Sequence, residues 1–282
     1  MLHPNIVLTL VSRENRDSAV PMEYLMSENK YSAHELISIV LSREIRDNEV
    51  GAWGVGGTIP MAAVRLAQHL HAPGVIIGGE RPYNPKPSRL SLGFGDPVSL
   101  ERAEAMEGFW ELFGHWHKGV DFFFYSGMQI DAYGNLNLHV IGDIKAPKVR
   151  GPGVANISLG QSCRRIFLHA TDHSPRRFVE KVDFVSVPGH LRGPASKAEG
   201  GLQSTGPVIC VTPIAVMDFD PTNLRMRLRS IHGNVSEAEV RARTGFKFAD
   251  GPAVNDTAPP TARELEILRT MVDPRGILRS QT

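Results

Sequence analysis

The sequence predicts an α/β fold, an open and mostly parallel sheet with flanking helices and a small antiparallel layer near the C-terminus. Three observations lead there. Helically spaced segments alternate with short apolar runs from Ser32 to Gly78, and the order helix, strand, loop, helix, strand implies a parallel sheet. Two further strand-like runs, "VDFFFYSG" and "RRIFLHAT", follow. After Gly193 the pattern changes to the strand runs "GPVICVTPIAVMDFD" and "LRMRLRSI", joined by "DFDPTN", and these read as an antiparallel layer closing the sheet.

Each element has a local reason. Ser32 and Glu35 have capping-box spacing, and Leu36, Ile37, Val40 and Leu41 follow at helical intervals, so a helix is expected from about Ser32 to Arg46. "EVGAW" reads as a strand, Glu49 to Trp53, that enters the glycine loop "GVGGTIP". Pro60 suits the start of a helix, where its missing N–H is not needed, and "GVII" is the next short buried strand. The stretch from Pro87 to Pro97 reads as loop, and Ser99 to His117 as a helix carrying Phe109, Trp110, Leu112 and Phe113. "QIDAYGNLNLHVIGD" holds a turn between alternating segments, and "KVDFVSVPGH" reads as a strand ending in Pro-Gly. Asp220-Pro221 marks a turn. Ser236 with Glu239 and Thr261 with Glu264 are capping boxes for two late helices.

Composition bounds the possibilities. The chain has 282 residues, 41% hydrophobic and 22% charged, which is ordinary for a globular protein able to bury a sizeable core. Its 31 basic and 30 acidic residues leave a net charge of +1, so nothing suggests a nucleic-acid partner or a membrane surface. Two separated cysteines, Cys163 and Cys210, form no disulfide framework, and a cytoplasmic location is expected. Residues 1–30 read as an N-terminal extension, poorly ordered, with "MSENKYSAHEL" resembling a second beginning, and residues 31–282 as a single domain.

Several stretches are candidates for chemistry. The loop Gly54 to Pro60, with Gly56 and Gly57, follows a strand and precedes a helix. It is a tight turn or a loop shaping a ligand cleft; it matches neither the P-loop nor the dinucleotide fingerprint. His169 and His173 are four apart, but without an HExxH helix no metal site is expected. No G-x-S-x-G elbow exists for a serine nucleophile. Gln129 and Asp131, with Asn135 and Asn137, have the chemistry of a turn. "RGPGVANISLG", Arg150 to Gly160, is a flexible run whose backbone could approach a ligand closely. Finally, Glu80 follows "GVIIGG". A lone glutamate beside Arg81 is ordinarily a solvated or ion-paired turn residue, yet the end of a parallel strand is also where open α/β sheets present groups to ligands.

Taken in order, "HAP…IIGGE", "QIDAYGNLN…GD…P", "RRFVEKVDFVSVPG" and "VDP" resemble the β subunit of the glutaconate-type family I coenzyme A transferases, over about Tyr31 to Leu278. "GMQIDAYGNLN" and "RRFVEKVDFVSVPGH" are the most specific pieces, with "TGFKF" and "VDPRG" adding to them. The resemblance implies the CoA-transferase fold, an α-type partner subunit of similar fold, an active site between the two, and higher oligomers. It places the catalytic glutamate on Glu80, and the glycine-rich loop near the thioester carbonyl on Gly151 to Asn156, with backbone donors around Gly153, Val154 and Ala155. Gly56, Gly57, Arg81 and Gln129 are then tentative substrate contacts.

The implied substrates are an acyl-CoA and a carboxylic acid, with coenzyme A as a substrate thioester and no bound cofactor. A glutamate of ordinary pKa, about 4.3, is ionised by about 500 to 1 at pH 7, so charge is no obstacle to nucleophilic attack. This chain departs from the family at two places. Arg81-Pro82 follows Glu80 where small residues are usual, and Val154 stands where a second glycine is usual; a β-branched residue restricts the backbone there. The alternatives to a transferase are an acyl-CoA hydrolase of the same architecture, related to ring-opening enzymes of steroid breakdown, and a non-catalytic scaffold subunit whose partner does the chemistry.

Overall fold

The computed structural model describes residues 31–280, apart from residues 55–56, 79–81, 94, 109, 112–113, 115–118, 155–156, 158, 203 and 234. The extension expected over residues 1–30 lies outside them. Among the described residues the chain builds one ten-stranded sheet and two separate hairpins. The sheet centre is parallel: β1 (Val50–Trp53) lies between β2 (Ile76–Gly78) and β5 (Phe122–Tyr125), and β10 (Arg165–His169) and β11 (Pro207–Val211) continue beyond β5. Antiparallel strands flank this centre. β12 (Ala215–Phe219) and β13 (Met226–Ile231) extend one side, and β3 (Pro82–Tyr83) and β4 (Ala105–Met106) the other. The antiparallel C-terminal part thus joins the same sheet. β14 (Asn255–Asp256) closes its edge, parallel to β13.

Both faces are covered, which is why the inner positions of the central strands β5 and β10 are apolar. In β5, Phe122 and Phe124 enter one core and Phe123 and Tyr125 the other. The first core lies under α1 (Ala33–Ser42) and α2 (Thr58–Leu70), together with α6 (Ala262–Ile267), the π-helical turn Leu268–Val272 and α7 (Ile277–Ser280). The second holds Ile130, Leu136, Leu159, Phe178, Val187, Met226 and Phe246. Helix α1 begins as its capping box predicts: Glu35 N–H donates to Ser32 Oγ at 3.1 Å, and Ser32 N–H to Glu35 Oε2 at 2.8 Å. It ends at Ser42, earlier than Arg46, in a turn in which Glu44 N–H donates to Leu41 O and Ile45 N–H to Ser42 O. Among the described residues no helix is long and apolar enough to cross a membrane.

Three sequence expectations need correction. The helix expected from Ser99 to His117 does not start there. A 3₁₀ turn, Pro97–Leu100, is capped by Asp96, then Glu101 turns extended and Arg102 adopts φ +51° before β4. "GPVICVTPIAVMDFD" is two strands, because Thr212 folds the chain back: its hydroxyl accepts the Ala215 N–H at 3.1 Å, and β11 and β12 pair antiparallel. "KVDFVSVPGH" forms no continuous strand. Val187 bridges Leu136 singly, and Ser186 and Val187 both donate to Leu136 O, so the segment makes an isolated bridge and not a ladder. The Asp220 turn forms as expected, its carboxylate accepting the Thr222 and Asn223 amides at 2.9 Å each.

Candidate active site

The parallel strands β1, β2, β5, β10 and β11 point the same way, so their C-terminal ends form one edge. Open α/β sheets take ligands on that edge. The loop after β1 leads into α2. Gly57 is its N-terminal cap, and Met61 N–H makes the first helical bond to Gly57 O at 2.9 Å. A side chain at Gly57 would meet Gly54 O at 3.1 Å and Trp53 Cδ1 at 3.2 Å, so the tightness of the turn selects glycine. Across the next connection, Gly78 pairs with Tyr83, and Asn84 N–H donates to Ile77 O at 2.6 Å. The chain therefore reverses between Gly78 and Pro82 at the end of β2. Glu80 and Arg81 fall within that connection by position and lie outside the described residues, as do Gly56 and Ala155.

The loop after β5 builds a second part of this edge. Hairpin β6 (Gln129–Ile130) and β7 (Leu136–Asn137) returns the chain to β8 (Val140–Asp143) and β9 (Ala146–Arg150), after which comes the glycine run. That run is tied down strongly. Gly151 N–H donates to His139 O at 2.8 Å and Gly153 N–H to Leu138 O at 2.9 Å. Any side chain at Gly151 would strike Leu138 O at 2.2 Å and Met128 Cε at 2.5 Å, and Gly153 adopts φ +74°. Glycine is therefore required twice, for close approach and for a left-handed turn. Val154 is half-buried and packs on the second core. The run leads into α3 (Leu159–Ser162), which carries the chain back to the start of β10. Its first turn stays near the strand ends, since the Tyr125 hydroxyl hydrogen-bonds the Gly160 backbone.

Gln129 is buried and holds this assembly together. Its Oε1 accepts from Asn137 Nδ2 at 2.7 Å and from Asp183 N–H at 3.0 Å, and its Nε2 donates to Asp183 Oδ2 at 3.2 Å. Asn137 Oδ1 accepts the His139 N–H at 3.0 Å. The structure thus links Gln129 to the glycine run through Asn137 and the Leu138-His139 backbone, with Gln129 engaged by protein groups. Two residues emerge that the sequence reading passed over. His139 Nδ1 lies 2.6 Å from the hydroxyl of buried Ser186, and its ring packs on Phe184 with centroids 4.9 Å apart. A single histidine between two short strands carries no spacing signal, and Ser186 reaches it from 47 residues away.

Other titratable candidates are accounted for by burial. Cys163 and Cys210 are fully buried; burial pushes the Cys163 thiol up to about 12 and the Cys210 thiol up as well, which disfavours the reactive thiolate. His173 bonds Thr212 Oγ1 at 2.9 Å and Thr244 Oγ1 at 3.0 Å. Both threonines are distant in sequence, so His173 ties β11 to the segment after α5 (Glu237–Ala242), not the local turn. Among the described residues no group of three or more His, Cys, Asp or Glu side chains is placed to hold a metal ion.

An open, centrally parallel sheet with glycine-dependent loops after β1 and β9 defines the class as α/β. The chain matches the coenzyme A transferase family, by its description "Coenzyme A transferase", over residues 34–242. It belongs to that family. It is 32% identical to the β-type subunit of the 3-oxoadipate CoA-transferase of Pseudomonas knackmussii, covering 86% of this chain and 93% of the relative. It is 30% identical to the corresponding subunit of the glutaconate CoA-transferase of Acidaminococcus fermentans, with the same two coverages. The cholesterol ring-cleaving hydrolase IpdB subunit of Mycobacterium bovis is 31% identical over 53% of this chain and 59% of its own length. The fold superposes on the glutaconate coenzyme A-transferase of A. fermentans with a TM-score of 0.81, at 24% identity over 90% of this chain and 99% of that one. The decarboxylase AibA/AibB matches with a TM-score of 0.76, at 26% identity over 88% and 98%. One architecture thus serves proteins named for three kinds of reaction, and the side chains at the edge have to decide among them.

Proposed function

We propose that this chain is the β-type subunit of an acyl-CoA:carboxylate CoA-transferase that works with an α-type subunit and uses Glu80 as nucleophile. The observation that carries the reading is the position of Glu80: it follows the last residue of a central parallel strand by two positions, in a chain that matches subunits of two CoA-transferases over 86% of its length. The Glu80 carboxylate attacks the thioester carbonyl; a C–O bond forms, the C–S bond breaks, and coenzyme A leaves as its thiolate. The thiolate then attacks the glutamyl carbonyl of the anhydride, releasing the first carboxylate and leaving a glutamyl-CoA thioester. A second carboxylate reverses the steps, which gives ping-pong kinetics. A hydrated carboxylate is a weak nucleophile, so the pocket has to exclude water and aim it. Gly57, with Gly56, shapes one wall and the run through Gly153, Val154 and Ala155 the other; Arg81 binds an acidic acyl or acceptor group; and Gln129 sets the position of the hairpin beneath the run. Residues 31–282 act as one domain behind the N-terminal extension, in the cytoplasm.

The test is a mass measurement of the αβ complex after incubation with acetyl-, succinyl- and glutaryl-CoA. A borohydride-reducible adduct on Glu80, absent from Glu80→Ala, is expected. Full transferase activity in Glu80→Ala would overturn the assignment and favour a scaffold role. The relation to the IpdB subunit supports a second reading, an acyl-CoA hydrolase. Turnover in the absence of any carboxylic acid co-substrate would select it.

A further inference from the structure

We propose that His139 is a catalytic hydrogen-bond donor: its Nε2–H binds the thioester carbonyl oxygen and stabilises the oxyanion that forms there. The role rests on the acyl-CoA reading above and deepens it. Three observations carry it.

The first is the tautomer. Ser186 Oγ accepts the Leu138 N–H at 2.7 Å and lies 2.6 Å from His139 Nδ1. The proposed role uses the tautomer in which the hydroxyl, already accepting from Leu138, gives its own hydrogen to Nδ1. The imidazole then accepts at Nδ1 and carries its proton on Nε2. The ring is also braced by Phe184, with centroids 4.9 Å apart and planes inclined at 50°. The orientation of the ring is therefore set before any ligand arrives.

The second is direction. The Nε2 edge faces the glycine run: a methyl group placed on Gly153 would sit 3.5 Å from Nε2 and 3.7 Å from Cδ2. Gly153 keeps that approach open, and its φ of +74° holds the loop in a left-handed turn around the ring. His139 is half-buried, so its free edge is reachable.

The third is the state of the backbone donors. The sequence reading expects amide groups around Gly153 to hold the oxyanion. The Gly153 amide donates to Leu138 O at 2.9 Å and the Gly151 amide to His139 O at 2.8 Å. These bonds point both amides back at the Leu138-His139 backbone between β7 and β8 and tie the loop to the segment that carries the ring. In the proposed tautomer the hydrogen aimed outward at Gly153 is the one on the imidazole. A prearranged imidazole N–H is suited to a developing alkoxide, because it needs no reorganisation as charge appears.

The experiment uses the αβ complex with the best donor among acetyl-, succinyl- and glutaryl-CoA. It follows kcat, KM, the rate of adduct formation on Glu80, and the melting temperature. His139→Ala is expected to lower kcat and the adduct rate by about 100- to 1,000-fold, with KM changed less than about threefold and the melting temperature near that of the parent. His139→Gln, which retains an N–H donor, should recover at least about tenfold of that loss. Ser186→Ala, which frees the tautomer, should give an intermediate defect. An adduct rate in His139→Ala equal to the parent would overturn the role. So would a loss that tracks a lowered melting temperature and is not recovered by His139→Gln, since that is the behaviour of a packing residue. A parent complex that reacts with none of the three thioesters would instead refute the acyl-CoA reading on which the role depends.

Discussion

Asn135 holds Gly189 in place from 54 residues away: its Oδ1 accepts the Gly189 N–H at 2.9 Å and the Leu191 N–H at 3.1 Å. The same side chain donates to both oxygens of Asp131, at 3.0 and 2.9 Å, and to Leu191 O at 2.8 Å. The two stretches most specific to the family resemblance, "GMQIDAYGNLN" and "RRFVEKVDFVSVPGH", are thus interlocked, the first holding the end of the second. From Asn135 the chain runs on through β7 to His139.

Asn135→Ala should destabilise the protein by about 3 kcal/mol or more, because each buried donor or acceptor left without a partner costs about 1–3 kcal/mol. Gly189→Ala should be no better tolerated. A methyl there would lie 2.4 Å from Gly134 C and O and 2.6 Å from Tyr133 O, backbone atoms that cannot step aside. Urea denaturation measures both variants. A change in either below about 0.5 kcal/mol, the range of an ordinary surface substitution, would refute the interlock.

Gly51 governs the centre of the sheet through Phe122. A methyl at Gly51 would lie 2.0, 2.2 and 2.6 Å from three atoms of the Phe122 ring. The ring cannot move aside, since it stacks on Phe167 at 5.5 Å and meets Phe124 edge-on at 5.7 Å. Gly51→Ala should therefore cost about 1–3 kcal/mol through overpacking. In the background of Phe122→Leu the same substitution should cost less than half as much, because the two sites share one volume. A double-mutant cycle of melting temperatures tests this; strict additivity would show that the ring yields freely.

Glu35 joins the two ends of the described chain. It closes the capping box of α1 and also receives Arg269 Nε at 2.8 Å and Nη2 at 3.0 Å, while itself only 1% exposed. Arg269→Ala leaves a buried carboxylate with a weaker neighbour, Arg279 Nε at 3.8 Å. A loss of about 1–3 kcal/mol is expected. Glu35→Gln keeps an acceptor for the Ser32 amide and loses the charge pairing, whereas Glu35→Ala loses both and should be the worse by about 1 kcal/mol. Equal denaturation midpoints for the two Glu35 variants would separate the capping box from α1 stability.

Much of this architecture was legible from local patterns. Ser32 with Glu35, and Thr261 with Glu264, announce their helices because a cap acts over three residues. "FFFY" and the "IFL" within "RIFLH" announce strands because burial on both faces favours continuous apolar runs. What escaped depends on distant or backbone-level facts. Thr212 splits an apolar run by a hydroxyl contact that composition does not reveal. The extended Glu101 and left-handed Arg102 end a run that looks helical by residue type. Gln129 reads as a possible ligand contact until Asp183, 54 residues on, is seen to engage its amide. His139 gains its meaning from Ser186 and Gly153, neither of which its neighbours in sequence foretell.

Buried neutral histidines set the response to acid. Burial, followed by the charges of Arg243 and His232, lowers His173 to about 3 from its ordinary 6.5. Burial lowers His232 to about 4 against the opposing bond to Thr212 O, and His190 to about 4 against the bond to Pro207 O. His169 falls to about 4 through burial and the charge of Arg177. The unfolded chain therefore binds protons between pH 6.5 and about 4 that the folded chain refuses. Stability contributed by these groups is complete above pH 6.5 and is lost as pH falls toward 4. For His232 alone the displacement corresponds to roughly 3 kcal/mol. Asp131 acts in the opposite sense: burial, partly offset by bonds from Asn135 and Tyr133, raises it to about 6 from 3.8, so the folded chain gains stability from it as pH falls through that window. One carboxyl against four imidazoles leaves the histidines dominant. Urea midpoints should fall steadily from pH 7 to pH 5, and His232→Gln should flatten the slope. Midpoints independent of pH across that range would show that these imidazoles are not held neutral by the fold.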